Sequence, residues 1–215
     1  MKDLEIRGAG NLLGGEQSGH ISDVGFDLYV RLVGEAVAEY RGETPGEEPE
    51  VRIELPVNAH LPHEYVPSER LRLEMYRRLA EVRSPDQVDA LRAELLDRYG
   101  ALPAVVDNLL AVALLRVKAK QARLTDINVQ GTYVRFAPVD LVDSTRVRLD
   151  RLYPKSVVKP ALRSVLVPRP RTAVVGGEAV RDVAVLDWAG RVIGDICVAA
   201  TTRPSPTSAS QGAKQ

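Results

Sequence analysis

The sequence predicts an α+β fold: one compact domain of about five helices and a small sheet, preceded by a glycine-rich loop and an amphipathic helix. Three observations carry this. Between 68 and 123, apolar residues recur at helical spacing in three consecutive stretches. Apolar and polar residues alternate on either side of that block, at 51–55 and 126–138, which is the period of strands. The composition is that of an ordinary globular protein, with 45% hydrophobic and 27% charged residues in 215. A core domain placed at 51–200 is long enough to bury roughly 70% of its unfolded surface.

The chain begins differently. Residues 3–20, DLEIRGAGNLLGGEQSGH, set Gly8, Gly10, Gly14, Gly15 and Gly19 among Arg7, Asn11, Glu16, Gln17 and His20. A P-loop requires a lysine after its last glycine, and none follows here. The spacing of Gly8, Gly10 and Gly14 also misses the dinucleotide fingerprint. Phe26, Tyr29, Val30, Val33, Val37 and Tyr40 then mark an amphipathic helix, so that 1–41 forms one unit. Residues 42–50, with Glu43, Glu47, Glu48 and Glu50 set around Pro45 and Pro49, read as an acidic linker.

Within the domain, Val51, Ile53 and Leu55 alternate as a strand closed by Pro56. A helix from Ser68 to about Val82 carries Leu71, Met75 and Leu79 on one side. The next has the strongest start signal in the chain. Ser84 caps, Pro85 fits the first helical position, Gln87 completes a capping box, and Gly100 ends it. A third, from Pro103 to about Arg123, has Val106, Leu110, Ala113 and Val117 as its buried stripe. DINVQGTYVRFAP (126–138) alternates around Gly131 as a hairpin, 143–154 reads as a short capped helix, and 164–170 as a strand bounded by prolines. Val183, Leu186, Val192, Ile193 and Ile196 predict a last helix within 178–199, weakened by Gly190 and Gly194. Residues 201–215 contain no apolar side chain larger than alanine and are expected to be disordered.

Sequence chemistry argues against catalysis by this chain. Cys197 is alone, so no disulfide framework or cysteine metal cluster is expected. His60 and His63 flank Pro62, which breaks the helix that would put both rings on one face, so no metal site is expected. No serine or cysteine carries a nucleophile signature. No apolar run approaches a membrane span, and the expected location is the cytoplasm.

The net charge of zero is unevenly distributed. Residues 1–63 carry 5 Lys+Arg against 12 Asp+Glu, and residues 144–215 carry 12 against 5. The two ends can pair with each other or with charged partners. The basic residues Arg146, Arg148, Arg151, Lys155, Lys159, Arg163, Arg169 and Arg171 are the candidate nucleic-acid patch. With Tyr153 and Trp188 as the aromatics considered, stacking platforms are lacking; solvated charge is the simpler reading and non-specific duplex contact the alternative. One local feature runs against helix electrostatics. Glu94 and Asp97 share a face in the last turns of their helix, where the dipole favours cations. Either Arg92 and Arg98 compensate, or the pair is an acidic knob for a basic partner.

KDLEIRGAGNLLGGEQSGHISDVGFDLYVRLVGEAV closely resembles a segment of the bacterial transcription-repair coupling factors, the Mfd family. ELPVNAHLPHEYVPSERLRLEMYRRLA resembles the start of that family's C-terminal domain, and LDRYGALP and LVPRP fit it as well. The first stretch is partly shared with the RecG helicase; the second is specific to the coupling factors. The resemblance covers about 1–200 and implies a C-terminal fragment of a superfamily 2 DNA translocase, without its Walker motifs or polymerase-binding module.

The glycine segment then belongs to the translocation motif that couples ATP hydrolysis to movement on duplex DNA, with Arg7, Gly8, Gly10, Gly14 and Gln17 as its residues. ATP and magnesium would be held by the parent's motor domains, and no cofactor by this chain. The resemblance further implies a regulatory clamp on the N-terminal module that recruits UvrA. That clamp would restrain the motor until stalled RNA polymerase is engaged. Glu94 and Asp97 would lie on the domain's side of the contact.

Overall fold

The computed structural model describes residues 51–173 and 175–197. The glycine segment, the helix expected at 24–41, the linker at 42–50 and the tail at 201–215 lie outside the described residues.

Five α-helices pack on a five-stranded mixed sheet, as the pattern predicts. In chain order these are β1 (Arg52–Glu54), α1 (Glu69–Glu81), α2 (Pro85–Tyr99), α3 (Ala104–Gln121), β2 (Asp126–Gln130), β3 (Tyr133–Ala137), α4 (Asp143–Leu152), β4 (Val157–Lys159), β5 (Ser164–Pro168) and α5 (Asp182–Ile196). The strand order is β1-β2-β3-β5-β4. β1 runs parallel to β2 and the other pairs are antiparallel. That arrangement follows from connection length. Gly131 at φ 60° turns the β2–β3 hairpin tightly, whereas β1 reaches β2 only after three helices.

Register places Ile53, Ile127, Phe136 and Val165 side by side across four strands. All four are buried and face the helices. Trp188 of α5 packs on Phe136 with ring centroids 6.1 Å apart. α3 is the central helix: it packs against α1, α2 and α5, and Val106, Leu109, Leu110, Leu115, Val117 and Ala119 are all buried. A helix buried nearly all round is apolar beyond a single stripe, so its predicted stripe is correct but understates the contact.

Three local expectations need correction. The helix expected at 143–154 has no side-chain cap: Val142 occupies the cap position and Asp143 is already helical. The last helix starts only at Asp182, because Ala179 bridges to Arg171 and the Val180 N–H donates to the Pro170 carbonyl. Leu186, Val192, Ile193 and Ile196 are buried as expected, whereas Val183 in the first turn is exposed and Val185 is buried in its place. Gly190 and Gly194 both lie inside that helix without interrupting it; a Cβ at Gly190 would come 3.3 Å from Lys118 Nζ, the flexible end of a side chain on α3. β4 was not anticipated.

Three distant segments meet at Asn108. Its side-chain amide, buried in α3, donates to the Asn58 carbonyl (2.8 Å) and to Asp182 Oδ1 (3.2 Å). The same carboxylate oxygen accepts the Asn58 N–H at 3.0 Å. The loop after β1 and the start of α5 are thereby tied to the central helix.

Candidate partner-binding surface

Helix α2 is braced at both ends. At its start, Gln87 Oε1 accepts the Arg83 and Ser84 N–H groups at 2.7 and 3.3 Å, the glutamine half of the expected box. At its end, Gly100 takes φ 80° and ψ −154° and its N–H donates to the Leu96 carbonyl. The Tyr65 hydroxyl donates to the Leu95 and Gly100 carbonyls at 3.0 and 3.1 Å, and its ring lies 5.6 Å from that of Tyr99. The carbonyls left open at the helix terminus thus gain a donor, and the last turn is fixed against the α1 approach loop.

The two acids on this helix have different environments. Arg78, in the last turn of α1, forks onto Glu94: Nη1 to Oε1 at 2.9 Å and Nη2 to Oε2 at 2.6 Å. Arg98 adds a third bond, to Oε1, at 2.8 Å. The hydrogen bond from Arg78 is the main cause that holds the Glu94 carboxyl down at about 2, and burial opposes it only in part. Glu94 is therefore a half-buried α1–α2 bridge and not part of an open acidic knob with Asp97. The position is tolerable near a helix C-terminus because Arg78 and Arg98 supply the positive charge that the dipole lacks. Arg92 does not contribute; it pairs with Asp107. Asp97 is exposed and has no ion pair among the described residues. Beside it Leu96 is 53% exposed. Sequence reasoning missed Arg78, because a bidentate partner on another helix leaves no local signal.

The basic third does not form one uninterrupted patch. Arg163 is neutralised by Asp140, and its Nε donates to both carboxylate oxygens at 2.9 and 3.1 Å. Arg146, Arg148 and Arg151 are exposed on α4. Lys155, Arg169 and Arg171 line a cleft at the hairpin end of the sheet. Trp188 is committed to the core, and the Tyr153 hydroxyl to Asp195 Oδ2 at 2.7 Å. His60 leans on Asn58 (Nδ1 to Oδ1, 3.1 Å), and no cluster of potential metal ligands occurs among the described residues. No helix of the described residues is long and apolar enough to cross a membrane. Burial pushes the Cys197 thiol up to about 11, so it is a poor nucleophile at neutral pH.

Residues 55–147 match the TRCF domain model. Over 216 aligned residues the chain is 48% identical to the transcription-repair-coupling factor of Mycobacterium tuberculosis, covering 95% of this chain and 17% of that protein. The chain belongs to the transcription-repair coupling factor family. The Myxococcus xanthus member is 47% identical over 130 residues, 60% of this chain and 11% of that protein. A crystal structure of the C-terminal domain of a transcription-repair coupling factor superposes with a TM-score of 0.57 at 14% identity, covering 73% of this chain and 99% of that one. The fold is thus that of a coupling-factor C-terminal domain. The chain spans about a sixth of the length of its mycobacterial relatives. The Arg7, Gly8, Gly10, Gly14 and Gln17 set lies outside the described residues.

Proposed function

We propose that this chain is the regulatory end of a DNA translocase that couples transcription to nucleotide excision repair. In this reading the domain packs on the UvrA-recruiting N-terminal module of the same protein, hides its UvrA-binding surface and restrains the motor. The observation that carries it is the outward face of α2. Leu96 and Asp97 stand exposed on a helix end held by Tyr65, Gly100 and the Arg78–Glu94–Arg98 network. An apolar side chain beside an unpaired acid suits a partner offering a shallow apolar spot and a basic residue. The glycine segment would contribute Arg7, Gly8, Gly10, Gly14 and Gln17 to the translocation motif. ATP, magnesium, duplex DNA and RNA polymerase would be engaged by the rest of the parent. The alternative, a duplex-DNA accessory domain gripping through 146–171 as a unit, is less supported because Arg163 is already neutralised.

The test compares UvrA capture by full-length protein with and without Asp97→Arg and Leu96→Asp at matched salt. Both substitutions are expected to raise capture and basal ATPase activity while leaving the fold intact. Equal capture would remove this face from the mechanism. Failure of a deletion of residues 51–215 to raise capture would remove the clamp itself.

A further inference from the structure

The cleft at the hairpin end of the sheet encloses about 260 Å³ between the 131–133 turn, the end of β5 and the loop carrying Lys155. Its charged lining residues are Lys155, Arg169 and Arg171, with no carboxylate among them. None of the three has an ion pair among the described residues. Arg171 is steadied by a hydrogen bond to the Gly177 carbonyl. Arg169 is half-buried, and its Nε–H is closed off from solvent without an acceptor among the described residues. A cation enclosed in this way lacks compensation that an anion could supply.

The fourth functional group is an aromatic ring. Among the described tyrosines, Tyr65, Tyr76, Tyr99 and Tyr153 each have a hydroxyl or ring partner. Tyr133 has none among the described residues and lines the cleft. Its place follows from register: it opens β3 directly opposite Pro168, one residue before Arg169.

We propose that this cleft is a contact site for single-stranded nucleic acid. A backbone phosphate sits among Lys155, Arg169 and Arg171, and an unpaired base stacks on Tyr133. Three cations without an ion pair among the described residues, set around one concavity, focus the field on a phosphate. The adjoining free ring gives a base a sequence-independent platform. An acidic peptide would satisfy the cations but leave the ring idle, and paired bases in duplex DNA present no open face to it. The volume lies below the roughly 300–1,000 Å³ of pockets that engulf a small molecule. It suits a strand that dips one nucleotide in while passing by.

The experiment is fluorescence anisotropy of the 215-residue chain with a labelled oligothymidylate, the matching duplex and an oligoglutamate peptide, titrated over salt. The single strand is expected to bind best. Tyr133→Leu should weaken it about tenfold while Tyr133→Phe keeps it, the loss expected for one stacked base. Lys155→Gln should lower the slope of log K against log salt by about 0.7, one phosphate contact on a single strand. Lys155 lies in an exposed turn, so this variant reads the cleft even if Tyr133→Leu perturbs the hairpin. Undetectable binding of the single strand at low salt, equal binding of duplex or oligoglutamate, or an unaltered slope for Lys155→Gln would each overturn the proposal.

Discussion

Replacing Glu94 with glutamine isolates the charge of the α1–α2 bridge with little change of shape. The wild-type carboxyl is held at about 2 against an ordinary 4.5. That difference sets a ceiling of about 3 kcal/mol on the bridge's contribution. The Glu94 and Arg78 side chains are 27% and 37% accessible, so water screens the pair. A realistic loss is about 1–2 kcal/mol. In a domain of this size that corresponds to a fall of roughly 3–6 °C in Tm at pH 7.

The pH dependence has a definite sign. The depressed carboxyl binds fewer protons folded than unfolded, so its stabilisation is complete above about 4.5 and disappears as pH falls towards about 2. Glutamine cannot titrate, so the gap between wild type and Glu94→Gln should close over that window. Urea unfolding followed by circular dichroism at pH 7, 4 and 3 measures it. An absent gap at pH 7, or an undiminished one at pH 3, would refute the account. The same reasoning bars a Glu94/Asp97 double reversal as an interface test, since Glu94→Arg would set three cations together where the α1–α2 bridge now stands.

Three further outcomes are expected. Asn108→Ala should cost about 1–3 kcal/mol in urea unfolding, because the Asn58 carbonyl and the Asp182 carboxylate both lose a buried donor. Gly100→Ala should cost about 1–3 kcal/mol from backbone strain alone, since a Cβ there meets nothing within 4 Å and the melting temperature would report φ 80° only. In the full-length protein, Arg7→Ala or Gln17→Ala should abolish displacement of stalled polymerase while largely sparing ATP hydrolysis; normal displacement would remove these residues from the translocation motif.

What the sequence made legible was local. The boundaries of α2 were readable because Ser84, Pro85, Gln87 and Gly100 each act within one turn of the helix they bound. The β2–β3 hairpin was readable because Gly131 interrupts a period-two pattern. β4 escaped because three residues give too short an alternation, and it exists only as an edge laid against β5. The start of α5 was misplaced because Val180 is spent on a loop bond to Pro170, a pairing that helical periodicity cannot register. The acidic pair on α2 was visible, but its division into a bridged Glu94 and an open Asp97 depends on Arg78 of another helix. Tyr133 looked like one more residue of a strand until β5 placed Arg169 beside it.

The knot at Asn108 also bears on when the domain can finish folding. Its partners come from residues 58 and 182, and the sheet stays open on its helix side until Trp188 arrives on Phe136. At about 5–20 residues per second, a nascent chain that has just exposed α3 still waits seconds for Asp182. During that interval α1, α2 and α3 can assemble through contacts close in sequence, while the apolar face of the hairpin stays uncovered. The ribosome-bound intermediate should therefore be a helical subdomain with an exposed strand pair, the species a chaperone would meet.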